Sequence, residues 1–321
     1  MTHTATAVTR PRGPVEPGRR RLRWRSAAMA AVMLLCAAPL ASATGGATGG
    51  ATDGAVDGHP PVHGAAPLYV SDYADNDVLR VPPGGGEPTT VAATGLTRPT
   101  GMVLDASGGL YIADTGNNRV VRVPGNGGPR AVVPTTGLSR PIGLALDTAG
   151  TLYIADSFND RVVKIPADGS GQVTVPTTGL LHPDGLALDG AGNLFVADFV
   201  NDRVVRIPAD GGPQTTVPTT GLSQPTGLAF DRDGDLFVSD SGNDRVVRLP
   251  ADGGPQRTVP VTGLNSPYGL AFDPAGTLFV ADFNNDRVVA LPVRGGQRTL
   301  PVAGLHTPAG LAVPRPGRDA Y

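Results

Sequence analysis

The residues that could do chemistry are few. His182 and Asp184 flank Pro183, and His306 lies in a corresponding stretch further on. An imidazole beside a carboxylate is a familiar acid–base pair. Zinc chemistry would need a third nitrogen or sulfur ligand, and beyond residue 66 there are only these two His, no Cys and one Glu, Glu87. Asp72, Asp75 and Asp77 place three carboxylates within six residues, an oxygen set that suits calcium; the alternative is a solvated acidic loop. Asp231, Asp233 and Asp235 also resemble a calcium loop, but they sit on an a–b hairpin with Gly234 misplaced for an EF-hand. The expectation is no cofactor, with calcium as the one candidate. Carboxylate–arginine pairs are more frequent: Asp114 with Arg119, Asp156 with Arg161, Asp198 with Arg203, Asp240 with Arg245, and Asp282 with Arg287. A catalytic pair is needed once, whereas a turn clamp is needed in every repeat. These five pairs therefore read as structural, each a charge-assisted bond pinning its own loop.

The elements that position these residues repeat. Asp72, Asp114, Asp156, Asp198, Asp240 and Asp282 each close a strand-like run such as LFVAD, and successive members are 42 residues apart. A fixed period in the forties built from short strands predicts an all-β, six-bladed β-propeller. Within residues 183–219, Leu186–Leu188 reads as inner strand a and Leu194–Ala197 as strand b. Arg203–Ile207 reads as strand c and Thr215–Thr219 as outer strand d, Pro218 being tolerable only at an edge. The aromatic at one strand-b position (Tyr69, Tyr111, Tyr153, Phe195, Phe237, Phe279) reads as packing between blades. The repeat array begins on a strand b at Leu68 and ends on a strand a at 308–313. Joining the two predicts a ring closed by C-terminal strand a pairing with N-terminal strands b, c and d.

Residues 67–314 hold the propeller. Residues 1–43 read as a signal peptide: a run of arginines, an apolar stretch from Ala27 to Leu40, and Ala41-Ser42-Ala43 as the cleavage site. The apolar stretch is 14 residues, short of the ~20 that span a bilayer. Residues 44–66 read as a Gly/Thr/Ala/Pro tether and 315–321 as a tail. Cleavage at Ala43 removes seven Arg and one Glu, which leaves 19 basic and 27 acidic residues, a net charge near −8. That charge excludes nucleic acid as the expected partner. It leaves a secreted or wall-associated monomer that does not insert into membranes and meets a protein or a cell-envelope glycan.

Units of the form P-x-G-L-A-x-D, L-x-V-A-D and N-D-R-V-V resemble NHL repeats over nearly the whole of 67–314. The T-G-L-x-x-P-x-G run is similar to that of the extracellular sensor propellers of actinobacterial receptor serine/threonine kinases. No kinase-like stretch accompanies it in these 321 residues, so the resemblance implies a binding or sensor module. Other propellers of this architecture are amidating lyases, streptogramin lyases and lactonases. An enzyme reading would place its site at the channel mouth around His182, Asp184 and His306. A rigid scaffold within an envelope complex is the third reading.

A binding face should lie where equivalent loop positions are filled unequally. In a propeller the b–c and d–a loops share one face, here called the top. It presents Tyr73, Phe158, Phe199, Val200 and Phe283 from b–c loops. The d–a loops contribute Arg98, Arg140, His182, Asp184, Gln224, Tyr268 and His306. Large apolar side chains at loop tips are costly unless a partner covers them or they fold onto neighbouring loops.

Overall fold

In the computed structural model the described residues are 66–83, 86–92 and 94–314. The expectations for the leader, most of the tether and the tail fall outside them. Among the described residues no helix is long and apolar enough to cross a membrane.

Six four-stranded antiparallel sheets form the blades. Blade 3 is typical: strand a Pro183–Leu188, b Leu194–Asp198, c Arg203–Ile207 and d Thr215–Thr216. Strand a starts earlier than expected, because Pro183 pairs with Asp198 and a bulge separates it from the Leu186↔Val196 pair. Strand d is shorter than expected. Val217 still donates its N–H to Val204 O at 2.9 Å, but Pro218 has no N–H with which to continue. Between strands b and c, five blades turn through three 3₁₀ residues, Phe199–Asn201 in blade 3.

The ring closes as predicted. Strand a Pro308–Ala312 pairs with strand b Leu68–Asp72 through Tyr69↔Ala312 and Val70↔Leu311. Strands a crowd the axis so tightly that a Cβ on Gly185 would overlap the Thr226 carbonyl of the next blade, and Gly310 stands likewise against Thr100. Only glycine permits that approach. Each gap between neighbouring blades holds its own apolar cluster: Val204 and Val205 are fully buried on opposite sides of blade 3, and Phe195 meets Phe230 edge-on at 5.0 Å. The strand-b aromatics pack as expected, with Phe279 deepest.

Candidate functional site

The recurring Asp–Arg pairs are clamps, with Asn as an unpredicted third member. In blade 3 the fully buried Asp198 accepts from Arg203 Nε at 2.6 Å, Asn201 Nδ2 at 2.8 Å and the Leu181 N–H at 2.7 Å. The ion pair repeats in four more blades. Arg119 donates to Asp114 at 2.6 Å and Arg161 to Asp156 at 2.7 Å. Arg245 donates to Asp240 and Arg287 to Asp282, both at 2.6 Å. Asn117, Asn159, Asn243 and Asn285 repeat the third member. Its period of 42 was readable in the sequence.

One expectation about these arginines was too narrow. A pair that pins its own b–c loop needs only the carboxylate, yet each guanidinium also binds a backbone carbonyl of the d–a loop. Arg203 reaches Gly179 O at 2.9 Å, Arg119 reaches Gly95 O at 2.7 Å and Arg287 reaches Gly263 O at 2.7 Å. Arg245 reaches Gly221 O at 3.2 Å, and Arg161 reaches Gly137 O at a longer 3.4 Å. The clamp therefore bolts two top-face loops together. Its geometry is also lopsided. The carboxylates are fully buried, whereas Arg119, Arg161, Arg245 and Arg287 stay about a third exposed.

The closing blade lacks this clamp. Asp75 stands in the Asn place and Asp77 in the Arg place. Asp72 keeps its backbone donor, the His306 N–H at 2.7 Å, and Asp75 binds His306 Nδ1 at 2.9 Å. Asp72, Asp75 and His306 bring one ligand atom each within 4.8 Å of one another, and Asp77 Oδ1 is buried with no hydrogen-bond partner. Oxygen and imidazole donors of this kind suit a divalent cation. Burial pushes the Asp72 carboxyl up from its ordinary value, and the bond to Asp75 raises the His306 imidazole. The second acidic loop does not converge on a centre. Asp231 Oδ1 closes its own turn on the N–H groups of Asp233 and Asp235, while the Asp235 carboxylate is taken by Arg248.

On the top face, the residue before each blade's first proline is left-handed: Arg98, Arg140, His182, Gln224, Ser266 and Thr307 have φ of 49–54°. Each N–H is caught by an Asn or Asp side chain of the preceding b–c loop, as His182 is by Asp160 Oδ1 at 2.8 Å. Those Asn and Asp residues are left-handed too, so all twelve positive-φ non-glycine residues described lie on this face. Backbone held this way is costly and persists only where surroundings enforce it.

These loops produce two separate constellations. At the rim, the Arg140 guanidinium sits 4.7 Å from the Phe158 ring centre and the His182 ring stacks on Phe158 at 4.8 Å and 12°. Phe158 is nonetheless 44% exposed, Val200 43% and Leu181 37%. Arg98 lies over Tyr73 at 5.8 Å. Phe199 and Gln224 are half-buried. At the axis, Tyr268 reaches across two blades to donate its hydroxyl to Asp184 Oδ2 at 2.8 Å. Both side chains are buried, so neither belongs to an exposed rim. Burial pushes the Asp184 carboxyl up to about 7 and the Tyr268 phenol well above its ordinary value. Phe283 is likewise buried, against Tyr73 at 5.8 Å and Tyr268 at 5.7 Å.

The residues an enzyme reading needs thus find three different partners: His182 takes Phe158, Asp184 takes Tyr268 and His306 takes Asp75. What the axial pair can do is hold or release one proton near neutral pH. What the rim can do is present a cation–aromatic stack beside apolar surface.

The class defined by this architecture is the six-bladed β-propeller. Residues 63–317 match the model of the virginiamycin B lyase family, and the chain belongs to that family. Among solved structures it is similar to a chain of the nidogen/laminin complex, with TM-score 0.70 and 22% identity over 77% of this chain and 98% of that one. It is also similar to a streptogramin B lyase, with TM-score 0.61 and 15% identity over 77% and 83%. A third likeness is to a catalytically inactive histidine-to-alanine virginiamycin B lyase from Staphylococcus aureus with quinupristin. There the TM-score is 0.57 at 16% identity over 77% and 88%. At these identities the structures bear on the fold alone. No curated protein matches the chain.

Proposed function

We propose that this chain is an exported binding module whose top face engages a protein or a cell-envelope glycan, as a sensor propeller would. The observation that carries the reading is the Arg140–Phe158–His182 stack, left exposed beside Leu181 and Val200. Arginine and aromatic side chains around an uncovered apolar centre are the usual composition of an energetic hot spot. A fold match within a nidogen/laminin complex agrees with a propeller acting as a binding partner.

The test uses Phe158→Ala and Arg140→Ala in the full chain. Hot-spot truncation costs about 2 kcal/mol or more, roughly thirty-fold in affinity for the captured envelope component. Melting of both variants should stay near that of the parent. Undiminished capture by both variants would sink the top-face reading.

Family membership and the Asp184–Tyr268 pair favour a second reading, a lyase acting at the channel mouth. A carboxyl that titrates near 7 can remove or return a proton at neutral pH. Incubation with quinupristin followed by chromatography decides the matter. Conversion by the parent and loss of conversion in Asp184→Asn would make the protein an enzyme.

A further inference from the structure

The axis of the propeller carries a feature that the top face does not use. Three cavities lined by described residues lie along it. One of about 80 Å³ sits against Asp184 and Tyr268. The next, of about 220 Å³, shares Leu186 and Leu228 with it as walls. The last, of about 390 Å³, shares Leu188 and Phe230 with the second and lies at the a–b turns, on the face opposite the rim. Eighty cubic ångströms holds several waters or a small polar head.

The chemistry changes along this path in a definite order. The outer mouth is walled by Asp147, Asp189, Asp231 and Asp273, with Phe230 and Phe272 among them. The one cation in that wall, Arg232, is held by the Pro274 carbonyl of the next blade. The middle is hydrocarbon apart from backbone: Met102, Leu144, Leu186, Leu228, Leu270 and Leu311, one from each blade. The inner end holds a single carboxyl, Asp184, 5% exposed, with a phenol and no cation as its partner. The other residues of its ring are Thr100, Ile142, Thr226 and Ala309, none of which carries charge. Arg140 acts on Tyr268 from the rim. From Asp184 to Asp189, just past the end of strand a, is five residues, at most about 16 Å at the rise of a strand.

We propose that the axial channel is a binding site for a linear aliphatic amine, with one ammonium seated on Asp184, methylenes through the leucine-lined middle, and a second cation among the mouth aspartates. Apolar sites with a few placed polar groups are the ordinary form of small-molecule pockets. A buried carboxylate without a counter-ion is costly, and a ligand ammonium relieves that cost. An acidic entrance raises the local concentration of cations. The site is independent of the top-face reading, since ligand enters from the opposite side.

Calorimetric titration of the full chain with 1,10-diaminodecane at pH 8 tests this. Saturable binding is expected, at least tenfold weaker for 1,5-diaminopentane, whose spacer cannot reach both ends, and absent for 1,10-decanediol. Asp184→Asn, with a normal melting transition, should lose tenfold or more. Tyr268→Phe, which keeps the carboxylate and removes its phenol, should bind at least as tightly as the parent. Absence of saturable binding, equal binding of the diol, or unchanged affinity in Asp184→Asn overturns the assignment.

Discussion

Five blades and the sixth solve the same loop problem with opposite charges. In blade 3 a buried carboxylate is surrounded by an amide, a guanidinium and a backbone N–H. In the closing blade the same carboxylate, Asp72, faces Asp75 and Asp77 where the amide and guanidinium should be. The seam is fastened differently. Ser71 Oγ accepts the Gly310 N–H at 2.7 Å and donates to Thr100 O at 2.8 Å, which ties the C-terminal strand and blade 1 to the N-terminal strand. Ser239, at the equivalent position of blade 4, has a buried Oγ with no partner. A hydroxyl therefore works at the seam where it is idle elsewhere. Ring closure relies on backbone pairing, Ser71 and the bonds from His306 to Asp72 and Asp75, while Asp77 Oδ1 stays buried without a partner.

Breaking a clamp gives the largest effect. Arg203→Ala leaves the buried Asp198 carboxylate with only its Asn201 and Leu181 N–H donors, and loss of a hydrogen bond to a charged group costs about 2 kcal/mol. A denaturant midpoint falling by that equivalent is expected; a shift under about 0.5 kcal/mol would mean the clamps are ornamental. Building a clamp at the seam gives a smaller effect of opposite sign. Asp75→Asn with Asp77→Arg recreates the Asn–Asp–Arg set, and should stabilise the chain by about 1 kcal/mol through one charge-assisted bond. A divalent cation that stabilises the parent through Asp72, Asp75 and His306 should lose its effect in this double variant. Chelator-sensitive melting of the parent alone is the readout.

The frame of this propeller was legible because it is periodic. The 42-residue spacing located every blade, and the five Asp–Arg pairs announced a loop clamp. Their reach to a second loop was not legible, because Arg119 and Gly95, or Arg287 and Gly263, meet only once strands b and c have folded back. The seam was legible, since the repeat array begins on a strand b and ends on a strand a. The site was only half legible. Phe283 and Phe158 lie in equivalent b–c loops one register apart, yet Phe283 is 7% exposed and Phe158 44%. Consecutive residues of a 3₁₀ turn point about 120° apart, so the first position turns inward and the second outward. Residue order shows the loop but not that rotation. The Asp184–Tyr268 bridge spans 84 residues and joins two side chains that read only as separate d–a loop candidates. Only the circular arrangement of strands puts them across one axis.

The smallest effect is the pH response of the seam, and its sign separates the two loop types. The imidazole of His306 is raised by its bond to Asp75, so its contribution is complete below the ordinary histidine value and lost as pH rises through the folded value. Burial raises Asp72, so it too favours the protonated fold, fully below the ordinary carboxyl value and progressively less above it. Both act in one direction: the seam loosens as pH climbs. Asp184 has the same sign, with its loss ending near pH 7, so the measurement belongs in an Asp184→Asn background. There, exchange of the His306 N–H, which bonds Asp72 across the seam, should speed up as pH climbs past the ordinary histidine value, beyond the intrinsic rise in exchange chemistry. The Leu181 N–H, held by Asp198 in a clamped blade, should follow the intrinsic rise alone. In His306→Gln the seam amide should behave like the clamped one. Equal acceleration at both amides in the His306 protein would show that charge balance does not distinguish the sixth blade from the other five.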